Sequence, residues 1–316
     1  MAALPIDQKQ AIALLRMMKK IRQFEERIIL VYPTDVMVTP VHLHIGQEAV
    51  PAGVCAHLKA QDIIFFSHRT HGPALAKGLE MKKLMAELYG RITGCSRGYG
   101  GSMHLVDPPH GILGSSSIVG GGIALGVGSA LAAKIKNEDR IAISYFGDGA
   151  ADSGVFWESI NFAALKALPV LFVCENNALS NTMRQAEHLF VQITDVASLF
   201  MPVFRADGTD AIDVYLRCAQ AVQHVREKRG PAFLECSTKR WMKHQGVAAD
   251  DLPYNAVDRE KDCPIRKLEH ALFENGMISP KEIETMTAEI ETMIDEAVDF
   301  ALKSPLPSEA DLMKEV

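Results

Sequence analysis

Two short motifs near the middle of the chain carry residue types that suit a phosphate-linked cation. Gly147-Asp148-Gly149 closes one apolar run, and Asn176-Asn177 closes the next. If the two runs are adjacent strands, a carboxylate oxygen, an amide oxygen and a nearby backbone carbonyl face one point. Magnesium takes such oxygen ligands in octahedral geometry at about 2.0–2.1 Å and commonly shares its shell with phosphate. Two phosphate oxygens and a water would complete the set. Glycines beside Asp148 admit a diphosphate to the backbone, and the free amides opening a helix at 153–166 favour its charge. Two competing readings are a plain strand-to-helix corner and a dinucleotide site. No G-x-G-x-x-G follows a strand, since Gly120–Gly128 precedes a helix with no strand expected before it, and a P-loop is absent.

The elements that must position these residues follow from hydrophobic periodicity. Ile141–Phe146 and Pro169–Cys174 read as buried strands around an amphipathic helix over Ser153–Lys166, N-capped by Asp152 or Ser153. That is a β-α-β unit, hence a parallel sheet with a right-handed crossover. A second round follows, with a strand at Val203–Ala206, a helix at Ala211–Lys228 and a strand at Ala232–Glu235. The alternation predicts an α/β fold, a parallel sheet with helices on both faces and ligands at the carboxyl ends of its strands. Helical extensions are expected at both ends, Ala11–Tyr32 before the sheet, and Ile265–Asn275 and Pro280–Lys303 after a loop at Lys239–Arg259. Residues 1–316 are read as one domain, its C-terminal helical part starting near 260. Between Val41 and Gly122 the sequence reads mainly as Gly- and His-rich loops. Gly120–Ala133 is a small-residue helix, suited equally to an interface or to internal packing.

Composition limits the partners. The 316 residues are 48% apolar and 23% charged with a net charge of −6, and the basic residues are interleaved with acids. A nucleic-acid groove or anionic membrane surface is not expected. Six scattered cysteines form no C-x-x-C pair, which argues against zinc or disulfides and for reduced thiols. Cys174 reads as a small core residue. No apolar stretch reaches the roughly 20 residues of a spanning helix, and a cytoplasmic location is expected.

The motif pair with its surroundings, GDGAADSGVFWESINFAALKALPVLFVCENN, resembles the α subunits of the thiamine diphosphate-dependent decarboxylating components of 2-oxo acid dehydrogenase complexes. The likeness runs from Arg22-Phe24-Glu25-Glu26-Arg27 to the Ser304-Pro305-Leu306-Pro307 tail, and HRTHGPALAKG and RGYGGSMHL lean toward the acetoin dehydrogenase branch. The resemblance implies a thiamine diphosphate-binding fold and the following roles. Asp148, the Asn177 side chain and the Leu179 carbonyl would bind Mg2+. The Gly149 and Ala150 amides would touch the diphosphate and Arg69 would neutralise it. His68 also belongs to this cofactor set, standing where many relatives carry tyrosine. Ser117 and Val119 would meet the aminopyrimidine, Val119 as the wedge under the bent cofactor.

It also marks His42, in VHLHIGQEA, as facing substrate, and His244, in Arg240-Trp241-Met242-Lys243-His244, as a second donor on a loop over the cofactor. An imidazole near its ordinary pKa of about 6.5 would suit both tasks. His71 is expected to support Arg69 or the fold, and His57, His110, His188, His224 and His270 are read as ordinary surface or core residues. Lys243 and Gln245 stand where relatives usually have glycine and serine, so the resemblance carries no kinase-modified serine to this loop. A β subunit is implied as partner in a heterotetramer, supplying the activating glutamate, with a lipoyl domain or another carrier protein accepting the product. The alternative is a split-transketolase-like enzyme transferring a two-carbon ketol unit to a carrier protein.

Overall fold

The computed structural model describes residues 4–37, 39–227 and 229–311. Helix α1 (Gln8–Val31) starts at Asp7, whose side chain accepts the Gln10 amide at 3.0 Å, and buries Leu15, Met18, Ile21, Phe24, Glu25 and Ile28 along one face. The stretch expected to be loop carries regular elements instead. These are α2 (Ala49–Cys55), β1 (Ile63–Phe66), α3 (His71–Lys77), α4 (Met81–Leu88) and β2 (Ile112–Ser115). Short strands without polar alternation gave no period to read, because both their faces can be covered. A strand therefore does precede the glycine-rich helix α5 (Gly121–Ile135), contrary to expectation.

The repeating unit forms as foreseen. β3 (Ala142–Gly147) leads through a tight turn at Asp148–Asp152 into α6 (Gly154–Leu165) and then β4 (Val170–Asn176). After a two-stranded hairpin, β5 (Leu179–Ser180) with β6 (Met183–Arg184), come α7 (Gln185–His188), α8 (Ile193–Ala197), β7 (Val203–Asp207), α9 (Ala211–Arg226) and β8 (Ala232–Ser237). The end expected for α9 at Lys228 lies outside the described residues. α10 (Pro264–Glu274) and α11 (Pro280–Lys303) close the chain; α11 opens with a reciprocal Ser279–Glu282 capping box.

The main sheet has the order β2-β1-β3-β4-β8-β7 and every pairing is parallel. Alternate residues separate two apolar cores. Ile143, Tyr145, Leu171, Val173 and Leu234 pack with α1, α2 and α9–α11, whereas Ala142, Phe146, Phe172, Cys174 and Phe233 pack with α5, α6 and α8. The expected helices on both faces are thus present. α5 is internal on one side, where a Cβ on Gly126 would lie 2.0 Å from Ser144 Oγ, and exposed on the other at Leu125 and Ile135. From β1 the chain passes to β2 on one side and then crosses to β3 on the other. The carboxyl ends of β1 and β3 therefore flank the crevice where such sheets bind ligands.

Candidate active site

The β3–β4 register pairs Gly147 with Glu175, so the residues that follow, Asp148 and Asn176-Asn177, leave the sheet side by side. Asp148 is 1% exposed, and its Oδ2 is buried without a hydrogen-bond partner. Burial raises its carboxyl from 3.8 to about 6, offset only in part by backbone amides, that of Asn177 among them. A buried carboxylate oxygen with nothing to bind is costly unless something cationic completes it. Asn177 Oδ1 accepts the Leu179 amide at 3.1 Å, which leaves its second lone pair, and Asn177 Nδ2 donates to Gln47 Oε1 at 3.2 Å. Gln47 is itself fully buried and also takes Thr238 Oγ1 at 2.9 Å. Asn176 turns away, donating to Glu235 at 2.9 Å. Among the described residues no cluster of three His, Cys, Asp or Glu could hold a metal. A metal at Asp148 would need amide and carbonyl oxygens as further ligands, a donor set that fits magnesium.

One cleft is lined by His68, Arg69, Val119, Asp148, Gly149, Ala150, Asn177, Leu179 and His244, nine of the residues singled out above. Ser117 is exposed on the loop between β2 and α5 and does not line it. Gly149 must stay small, because a Cβ there would sit 2.6 Å from Ser180 Oγ. The backbone presented to the cleft belongs to the tight turn at 148–152, not to the first turn of α6 as expected.

Arg69, after β1, is 7% exposed, and its guanidinium donates to the Leu43 carbonyl at 2.5 Å and the His244 carbonyl at 3.3 Å. Burial and then the neighbouring Arg240 pull it down to about 10, so it stays charged at neutral pH without a carboxylate partner among the described residues. Arg240 is held by Asp250 at 2.6 and 3.0 Å and by the Asn181 carbonyl at 2.8 Å. The cleft thus holds a fixed, unpaired cation beside an unpaired carboxylate oxygen.

The rings of His42, His68 and His244 cluster with centroids 4.7 to 5.1 Å apart. Burial, and next the Arg69 charge, push them down to about 3, 2 and 4 respectively, rather than leaving them near 6.5 as expected. All three are neutral imidazoles at pH 7, each with one N–H to donate. The His244 loop is tied to the His42 segment by Gly246 N donating to Val41 O at 2.8 Å. Lys243 points to solvent and pairs with Asp251 at 3.0 Å. Neither ring nitrogen of His71 meets Arg69; they bond Glu25 and Ser102. His57, His110 and His270 have local partners at Tyr215, Asp107 and Glu274.

Gln47, Glu175, Asn181 and Arg240 line the cleft but were not singled out. Gln47, Glu175 and Arg240 lie within five residues of His42, Asn176 and His244 respectively, the one signal the sequence offers for them.

Residues 16–309 of the chain that builds this crevice match the family model described as dehydrogenase E1 component, and the chain belongs to that family of thiamine diphosphate-dependent oxidoreductase components. It is 37% identical to the α subunit of acetoin:2,6-dichlorophenolindophenol oxidoreductase of Bacillus subtilis, covering 99% of this chain and 95% of the relative. The corresponding subunit of Cupriavidus necator is 36% identical, covering 100% and 96%. The α subunit of the pyruvate dehydrogenase E1 component of Zymomonas mobilis is 36% identical, covering 97% and 88%. Among the described residues no helix is long and apolar enough to cross a membrane.

Proposed function

We propose that this chain is the α subunit of a thiamine diphosphate-dependent dehydrogenase that cleaves a bond beside a carbonyl, in a 2-oxo acid or in acetoin, and passes the acyl unit to a lipoyl acceptor. The observation that carries the reading is the unpartnered, buried Asp148 Oδ2 at the end of β3, beside Asn177 at the end of β4. Asp148, Asn177 Oδ1 and the Leu179 carbonyl hold Mg2+. The Gly149 and Ala150 amides and Arg69 take the diphosphate, and Val119, Ser117 and His68 bound the rest of the cofactor. Bound there, thiamine diphosphate supplies the electron sink for the cleavage.

His42 and His244, held neutral, donate hydrogen bonds toward the substrate oxygen. A β subunit completes the site with the activating glutamate. Exposed Ile118, Val119, Leu125, Phe162 and Leu165, on the α5–α6 side, support such a partner. Residues 1–316 act as one unit in that assembly. The relatives' names favour dehydrogenase chemistry, and the ketol-transfer alternative draws no support from them.

The test is turnover by the co-expressed αβ pair with pyruvate, acetoin or a ketose phosphate, each with a lipoyl domain or a carrier protein as acceptor. Turnover of pyruvate or acetoin with the lipoyl domain is expected. Activity confined to the ketose phosphate would overturn the proposal.

A further inference from the structure

Glu25 is a carboxylate in the wrong place for stability. It lies on the buried face of α1 between Ile21 and Ile28, is 0% exposed, and has no Lys or Arg ion-pair partner among the described residues. An apolar residue is the default at such a position, and a buried carboxylate is costly unless hydrogen bonds replace its water. Here they do, and they come from two different segments. Glu25 Oε2 accepts the His44 backbone amide at 2.6 Å, and Oε1 meets His71 Nδ1 at 3.1 Å. The far side of the His71 ring is fixed in turn by Ser102 Oγ at 2.9 Å.

His44 follows His42 by two residues, and His71 follows Arg69 by two. The first segment runs toward Gln47, and the second opens α3 directly after the turn at the end of β1. Arg69 also reaches back to the Leu43 carbonyl, so the two segments touch a second time. Their packing leaves little slack, since a Cβ on Gly72 would lie 2.9 Å from His44 Cγ. We infer that Glu25 is a positioning residue for the cleft: it clamps the His42 segment to the Arg69 segment and so fixes where the diphosphate-facing guanidinium and the His42 ring stand.

This rests on the cofactor reading of the cleft, and the experiment separates the two. In the assembled αβ enzyme, thiamine diphosphate binding with magnesium is measured by calorimetry beside the thermal midpoint for Glu25→Leu and Glu25→Gln. Leucine fits the helix core but cuts both arms of the clamp. Its dissociation constant is expected to rise about tenfold to a hundredfold, the usual consequence of removing an outer support, while the midpoint is kept. Glutamine can accept from His44 N and donate to His71 Nδ1, and is expected within about threefold of the parent, a rescue that bulk packing does not explain.

Binding by Glu25→Leu as tight as the parent's would overturn the clamp. Should that variant not assemble, His71→Leu, which cuts one arm only, is expected to raise the dissociation constant likewise, with a lower midpoint because Glu25 Oε1 loses its partner; parent-like binding by it refutes the clamp. A parent enzyme that binds no thiamine diphosphate would overturn the reading of the cleft itself, and the clamp with it.

Discussion

Asp148→Asn tests whether function is held here at the expense of stability. The carboxyl is raised from 3.8 to about 6, chiefly by burial, which corresponds to about 3 kcal/mol against the ionised folded state. The sign follows from which state binds protons. As pH rises through about 4 the unfolded chain gives up this proton while the folded chain retains it. Stability therefore falls between about pH 4 and pH 6, and the full penalty stands above that. Asparagine has nearly the same shape and no charge to desolvate. Stripped of magnesium and coenzyme by EDTA, the αβ assembly carrying Asp148→Asn should melt about 2–4 °C above the parent at pH 8, with no difference near pH 4. With magnesium and thiamine diphosphate added the order should reverse, because only the carboxylate gains the cation. Differential scanning calorimetry across this pH range reads both. If the variant melts with or below the parent at pH 8 without metal, the argument that an unpaired carboxylate is stored in this cleft is wrong.

Other outcomes follow from the same geometry. Gly149→Ala should lose about 1–3 kcal/mol by overpacking against Ser180, and the double variant Gly149→Ala/Ser180→Gly should recover most of it in chemical denaturation. No recovery would mean that the contact with Ser180 is not what restricts the position. His68 is held far below 6.5, so the unfolded chain takes up a proton there first as pH falls, and the folded state loses stability below about 6.5. His68→Tyr should move the acid-unfolding midpoint, followed by intrinsic fluorescence, to lower pH; an unchanged midpoint would show that burial of this ring is not felt.

The sheet and much of the site could be read from the sequence for an identifiable reason. β3 and β4 are long apolar runs separated by a helix of the right length, and their polar ends carry Asp148 and Asn177. β1 and β2 are four-residue strands, Ile63–Phe66 and Ile112–Ser115, set among glycines and histidines, and neither is long enough to display a period. The histidines illustrate the second limit. Residue type suggested imidazoles that titrate near neutrality, but their state is set by burial and then by Arg69, which come together only once β1 and the 41–47 and 242–249 segments meet. Glu25 shows the same dependence on assembly. In sequence it is one of two adjacent acids on a helix; only folding shows that it faces inward and Glu26 does not.

On the proposed reading a divalent cation at the ends of β3 and β4 fastens a diphosphate, and calorimetric titration of thiamine diphosphate into the αβ assembly, with magnesium and again with EDTA, decides whether it does. Saturable binding only with magnesium, weakened at least about tenfold by Asn177→Ala, is the predicted result. Equal binding in EDTA, or by Asn177→Ala, would contradict it.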